Sequence, residues 1–422
     1  MRIAVWHNLP SGGGKRALYH HVRGLVARGH EVEAWCPQTA DQTYLPLSEL
    51  ITEHVVPLDE RTNALERFFA KFELLRGQTL PFYEEVRRNA ALDEHCRRCA
   101  EEINRGSFDL LFANSSLIQA VSPMARYVHT TKVLYLQEPN RTLYEVRHEN
   151  LPWVALPSPG KVWLRPRYLL WFSANALGVQ QMRIAARDER ANAAAFDLIL
   201  ANSYFSRESI MRVYGLSARV CYLGVDTAKF VNLRLPREDF VVSLGAFLPH
   251  KNARLVIESL ALLPAPRPRL VWVGNFSATE YYEEMRKLAD SSGVTFELKT
   301  RVDDAELVDI LNRGAAMVYA PRLEPFGFAP LEANACGMPV VSVAEGGVRE
   351  TIIDGVNGLL VGHNPQEVAD AVTRLLGDQE FARRLGENAS AAAATKWSWE
   401  AALDRLEGEF AGVIGTDDKS PR

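Results

Sequence analysis

Residues 321–358 read PRLEPFGFAPLEANACGMPVVSVAEGGVRETIIDGVNG, and the fold turns on how this stretch is laid out. An apolar run at 315–320 leads into Pro321 and a loop holding Glu324, Pro325, Phe326 and Gly327. Residues 329–336 then have helical composition, closed by Gly337 and Pro339, and 340–343 is a β-branched run suited to a buried parallel strand. Strand, loop, helix and strand put the loop at the carboxyl edge of a parallel sheet, where open α/β folds bind ligands. At the helix start, the free N–H groups near Phe328, Ala329 and Leu331 suit an anion such as a phosphate, and Gly327 lets the backbone approach it. Glu324 sits in the loop and Glu332 about one turn inside the helix. Two carboxylates beside an anion site would repel a phosphate unless they meet hydroxyls, and a sugar nucleotide offers both.

Glu324 and Glu332 form an E-x7-E arrangement inside EPFGFAPLEANACGMPVV, followed in register by GGVRETIIDGVNGLLV. The whole string resembles the signature of the retaining glycosyltransferase family 4, whose fold is GT-B. The resemblance implies an α/β protein of two facing Rossmann-like domains with the active site in the interdomain cleft. It implies transfer of a sugar from a nucleotide diphosphate sugar to an acceptor hydroxyl with retained configuration, without a metal or other cofactor. Its implied catalytic residues are Glu324 and Lys251. The implied donor site comprises Glu332, Gly327, Phe328, Ala329, Pro330, Leu331, Gly13, Gly14, Gly245 and Arg301.

The 422 residues are enough for two domains of ordinary size. With 47% hydrophobic and 24% charged residues the composition is that of a soluble protein, and a formal net charge of −4 gives no global attraction to nucleic acid. No run approaches transmembrane length and MRIAVWHN enters a strand pattern directly, so a cytoplasmic protein is expected. Five scattered cysteines suggest no disulfide framework. Cys96 and Cys99 form a C-x-x-C pair with no second pair to complete a zinc site, and an ordinary helix explains them better.

A strand at 3–7, the loop Ser11-Gly12-Gly13-Gly14-Lys15, a helix to Arg28 and a strand at 32–36 open a Rossmann-like half. The loop is not a nucleotide P-loop, because Leu9 stands five residues before Gly14 and Arg16 follows Lys15. Short strands at 110–113 and 132–136 end in Asn114-Ser115 and in Gln137-Glu138-Pro139-Asn140-Arg141. At the second of these the family often carries a histidine-containing HxP-like step; QEP here makes Gln137 and Glu138 acceptor-side contacts. A helix is expected over 61–76. Residues 161–183 interleave Lys161, Arg165, Arg167 and Arg183 with Trp163, Tyr168, Trp171 and Phe172, a basic aromatic stretch able to rest on an anionic bilayer or to pack as core with snorkelling arginines.

A strand at 198–201 and a helix to Tyr214 lead to a hinge, and strands at 240–245, 270–273, 294–298, 317–320, 340–343 and 358–361 alternate with helix-length segments. The expected domains are 1–225, on the acceptor side, and 239–395, on the donor side. A linker at 226–238 joins them, a helix at 396–414 crosses back and a mobile tail follows at 415–422. After the strand at 240–245 the family usually has an arginine and a lysine for the pyrophosphate. Lys251 matches, but Ala246 stands at the arginine position, a loss on the order of 1.5–3 kcal/mol if nothing replaces it. The expected function is therefore a retaining glycosyltransferase acting on a glycan, lipid-linked or small-molecule acceptor. A non-catalytic nucleotide-sugar-binding scaffold, motivated by Ala246, and an epimerase or hydrolase on the same fold are the alternatives.

Overall fold

The computed structural model describes residues 1–59, 73–141 and 166–415, without the side chains of 73–85 and 166–177. The helix expected over 61–76 lies outside them for all but its last residues. The tail beyond 415, residues 161–165 and the aromatic side chains of the basic stretch lie outside as well. The chain divides into two compact units. Unit 1 holds Met1–Asn202, Ser206–Cys221 and the chain from Leu406 onward; unit 2 holds Ser203–Phe205 and Tyr222–Arg405.

Unit 1 is built on a parallel sheet of β1 (Arg2–Asn8), β2 (Glu31–Cys36), β3 (Thr52–Val55), β4 (Leu110–Ser116), β5 (Thr131–Tyr135), β6 (Leu198–Ala201) and β7 (Arg219–Val220), in the order β3-β2-β1-β4-β5-β6-β7. The apolar runs become its central strands: Ile3 to Trp6, Leu110 to Ala113 and Leu198 to Ala201 are all buried, as a sheet covered on both faces requires. Helices α1 (Gly13–Ala27), α2 (Glu73–Arg105), α3 (Pro166–Ala193) and α4 (Tyr204–Tyr214) alternate with these strands. Cys96 and Cys99 belong to the apolar core that α2 lays against the sheet. His95, next to Cys96 in sequence, takes the Trp6 indole N–H on Nε2 at 3.2 Å and faces the Val56 carbonyl through Nδ1 at 3.1 Å. The C-x-x-C pair is therefore core, and all five cysteines are buried thiols outside any disulfide.

Unit 2 repeats the plan with β8 (Glu238–Leu244), β9 (Arg269–Gly274), β10 (Phe296–Thr300), β11 (Gly314–Tyr319), β12 (Val340–Val343) and β13 (Leu359–Val361), in the parallel order β10-β9-β8-β11-β12-β13. Its helices are α5 (Ala253–Ala261), α6 (Thr279–Ser292), α7 (Asp304–Arg313), α8 (Phe328–Ala335), α9 (Val348–Thr351), α10 (Pro365–Gly377) and α11 (Gln379–Thr395), and α12 (Trp399–Ile414) follows. Asp303 caps α7 by accepting the Glu306 N–H at 2.8 Å, and Asn364 caps α10 through the Gln366 N–H. In both sheets the strand order reverses beside the first strand, between β1 and β4 and between β8 and β11. That reversal opens a crevice at the carboxyl edge of each. Among the described residues no helix is long and apolar enough to cross a membrane.

Candidate active site

The switch point of the second sheet carries a defined constellation. After β8 ends, Gly245 takes φ +140°, a conformation open to glycine. Its carbonyl accepts the Trp272 indole N–H at 2.8 Å, and a Cβ on Gly274 would stand 2.5 Å from the same oxygen, so β9 clamps this turn. The turn delivers Lys251, whose Cε lies 3.7 Å from where a side chain on Gly245 would begin. From the neighbouring strand β11 comes Glu324, and Lys251 Nζ donates to its Oε2 at 2.6 Å. Only 18% and 19% of the two side chains are exposed, so the pair is sunk in the edge but open to solvent.

The loop that carries Glu324 is held on several sides. The Arg322 N–H donates to the His250 carbonyl at 2.9 Å, tying it to the lysine turn. Gly347 donates to the Glu324 carbonyl at 2.8 Å, and Ser203 Oγ donates to the Pro325 carbonyl at 2.6 Å. Gly346 has φ +68°, and a Cβ there would collide with the Glu324 backbone, as one on Gly347 would with the Pro325 carbonyl. Leu323 takes φ +52°, unusual for a residue with a side chain and a mark of backbone strain held in place by its surroundings. The sequence reading assigned no role to Gly346, Gly347 or Ser203; two adjacent glycines just after a strand were the available signal for the first two.

Gly327, at φ +91°, ends the loop and starts α8. The helix then presents Phe328, half-buried, followed by buried Ala329, Pro330, Leu331 and Glu332, the last 3% exposed. Gly245, Lys251, Glu324 and Gly327 thus lie in the turns that follow the two strands flanking the switch point. Arg301 lies further along the same edge, exposed at φ +59° after β10, two strands from β8.

The other assigned residues belong to unit 1. Gly13 and Gly14 open α1 behind Gly12, itself at φ +140°. A Cβ on Gly14 would meet Gln137 Nε2 at 3.4 Å, so the glycine loop and the β5 loop are neighbours. Glu138 pairs with Arg141 at 2.6 Å. Beneath this edge lies a sealed polar cluster. His7 Nε2 is 3.2 Å from Glu53 Oε1, Cys36 Sγ is 3.6 Å from the same oxygen, and Lys15 is fully buried beside them. Burial holds the pKa values of His7 and Lys15 down and pushes the Cys36 thiol up to about 12, with Glu53 adding to the rise. Burial works to raise the Glu53 carboxyl, but the His7 hydrogen bond and the charges of His7 and Lys15 outweigh it and leave the pKa lowered.

Two parallel sheets, each with its switch point and a glycine-lined edge, make up the GT-B architecture of glycosyltransferases. Residues 11–229 match the sequence model for Glycosyltransferase Family 4, and residues 225–392 match that for glycosyl transferases group 1. With the first match alone covering more than half of the chain, the protein belongs to the group 1, family 4 glycosyltransferases. It is 31% identical over 244 residues to a D-inositol 3-phosphate glycosyltransferase of Thermobifida fusca (strain YX), covering 52% of this chain and 56% of that one. To the protein of the same name from Stackebrandtia nassauensis it is 30% identical over 288 residues, 59% of this chain and 64% of that one. The matches therefore span little more than half the length of these curated relatives.

Its fold is shared with Anabaena Alr3699/HepE, solved in complex with UDP and glucose, at a TM-score of 0.66 and 16% identity, over 98% of this chain and 100% of that one. It is likewise shared with sucrose-phosphate synthase from Thermosynechococcus elongatus, at a TM-score of 0.67 and 19% identity, over 98% and 99% of the two chains.

Proposed function

We propose that this glycosyltransferase moves a sugar from a nucleoside diphosphate sugar to an acceptor hydroxyl with retention at the anomeric carbon and without a metal. The observation that carries the reading is the Lys251–Glu324 pair, 2.6 Å apart and open to solvent beside the start of α8. The barrier is charge separation at the anomeric carbon, so the protein has to stabilise a departing phosphate and steady a developing cation. In this reading Lys251 and the backbone N–H groups of Phe328, Ala329 and Leu331 at the start of α8 face the diphosphate. Glu324 orients the sugar hydroxyls and steadies the cation, while Glu332 holds the ribose.

The bond from the anomeric carbon to the phosphate oxygen breaks, and the bond to the acceptor oxygen forms on the same face. The acceptor's proton passes to the leaving phosphate oxygen. Gln137 and Glu138 serve the acceptor in this reading. The names of the relatives suggest a phosphorylated cyclitol as the first acceptor to try and uridine as the first base.

The test is a panel of nucleotide sugars, with and without inositol 3-phosphate, read by thermal shift, nucleoside diphosphate release and the anomeric configuration of the product. One donor that stabilises the protein and yields an α-linked product from an α-linked donor is the expected result. Inversion at the anomeric carbon, or transfer abolished by chelators and restored by a divalent cation, would overturn the mechanism. Stabilisation by a donor with no transfer to any acceptor tried would favour the binding-only alternative raised by Ala246.

A further inference from the structure

A diphosphate at the start of α8 leaves the base of the donor to be held elsewhere along the carboxyl edge of unit 2. On one side of the Lys251 turn that edge carries Glu324 and Gly327. On the other side come the turns after β9 and β10, because the strands run β10-β9-β8-β11. The turn after β9 extends the pairing of β8 and β9 past the strand ends. The Phe247 N–H donates to the Phe276 carbonyl at 2.7 Å, and the Ala278 N–H donates to the Phe247 carbonyl at 3.3 Å. Phe247 and Ser277 form a parallel bridge between these bonds, so the backbone of Phe276 is pinned beside the turn that delivers Lys251.

The two phenylalanines joined by this pairing have different surroundings. The Phe247 ring is fully buried, with centroids 5.0 Å from Trp272, 5.2 Å from Tyr281 and 5.6 Å from Phe296, in the core shared with α5 and α6. The strand order reverses at β8, so right-handed crossovers put α5 and α6 on one face of the sheet and α7 and α8 on the other. Side chains alternate along an extended segment. Ser277 shares the face of Phe247, and Phe276 projects to the face where α7 and α8 begin. There Phe276 is 57% exposed, and its ring meets no other ring among the described residues. Single exposed hydrophobic side chains are ordinary. This one stands apart by its place: a flat apolar ring on a fixed backbone, between Lys251 and Arg301, whose turn leads into α7.

We infer that the Phe276 ring is the stacking platform for the base of the nucleoside diphosphate sugar, an inference that rests on the donor reading above. α7 packs beside α8, so a nucleoside whose ribose meets Glu332 carries its base toward the start of α7, on the face where Phe276 stands. Every base has a π-face, and stacking on an aromatic side chain is tolerant of which base it is. The ring carries no hydrogen-bonding group, so it adds affinity for the nucleoside without choosing among bases. Lys251 serves the charged end of the donor and Phe276 the flat end. Anchoring the flat end fixes where the anomeric carbon lies relative to Glu324.

The test is calorimetric binding of UDP, dTDP, CDP, GDP and ADP to the full chain, wild type against Phe276→Ala, Phe276→Leu and Phe276→Trp, each checked for folding by circular dichroism. For whichever nucleotide the wild type binds, Phe276→Ala should weaken binding about tenfold or more. Phe276→Leu, apolar but without a flat face, should lose nearly as much. Phe276→Trp should bind at least as tightly as the wild type, and the fluorescence of its added indole should be quenched by the bound base. Equal affinity of the wild type and Phe276→Ala would overturn the inference and leave the donor reading standing. Full affinity in Phe276→Leu would overturn it as well, since the residue would then be a general apolar contact. A wild type that binds none of these nucleotides would bring down the inference together with the reading beneath it.

Discussion

Each unit keeps a lysine and a glutamate near a glycine turn, and the two arrangements are treated oppositely. In unit 2, Lys251 and Glu324 touch at 2.6 Å with about a fifth of each side chain in solvent. In unit 1, Lys15 is fully buried, and Glu53 is bonded to His7 and Cys36 instead. A pair that still reaches solvent is partly screened and is available to a ligand. Buried charges of opposite sign are costly to desolvate, and removing one leaves the other uncompensated. In the proposed function the same two residue types serve reaction in one place, and in the other they serve architecture.

The strongest challenge to that contrast is Glu53→Gln. It removes the carboxylate that His7 and Cys36 bond and that electrostatically offsets the buried Lys15, and is expected to lower unfolding stability by about 3–5 kcal/mol, measured by urea denaturation. A loss no larger than that of an exposed substitution would mean that Lys15 is neutral in the folded protein and that the cluster is no charge pair. The counterpart in unit 2 should behave the other way. Glu324→Gln and Lys251→Met should each cost on the order of 100- to 1000-fold in turnover, yet only about 1 kcal/mol or less in stability. If either variant unfolds instead of losing rate, the open pair is structural and the contrast fails.

A smaller effect tests how the open pair is held. Gly346→Ala puts a side chain at φ +68° and into the Glu324 backbone. The expected stability loss is about 1–3 kcal/mol. The larger readout is a fall of roughly 100-fold in turnover, because Glu324 is displaced while its chemistry is unchanged. Nucleotide affinity should fall less than turnover. Equal losses in both would place Gly346 in general packing and not in the positioning of Glu324.

What the sequence disclosed and what it withheld follow the same division. The strand runs at 198–201 and 340–343 were legible to the residue because they are continuous apolar segments between polar ends. The loop with Glu324 and Gly327 was legible because strand, turn and helix signals follow one another without a gap. The strand Thr52–Val55 was missed: TEHV is polar and half-exposed, an edge strand with no apolar run to announce it. Glu53 was missed with it, and so was the cluster, since His7, Cys36 and Glu53 are brought together by strand pairing across 46 residues. The two glycines at 346 and 347 were visible, but the backbone they approach lies more than twenty residues earlier in the chain.

Unit 1 also predicts a pH signature, from a buried carboxylate outside that cluster. Glu189 on α3 is fully buried, with the Tyr214 hydroxyl donating to it. Burial raises its pKa from the ordinary 4.5 to about 7, against the pull of the Tyr214 hydroxyl and the Asn140 N–H in the loop after Gln137. Between these two values the folded chain keeps a proton that the unfolded chain has released. The stability from this group is therefore complete below pH 4.5 and is lost as the pH rises through about 7. Glu189→Gln, which stays neutral, should match the wild type at pH 4.5 and exceed it by about 1–3 kcal/mol at pH 8. Melting curves of the two proteins at the two pH values decide it: parallel pH dependences would mean that Glu189 ionises freely in the folded state and is not sealed.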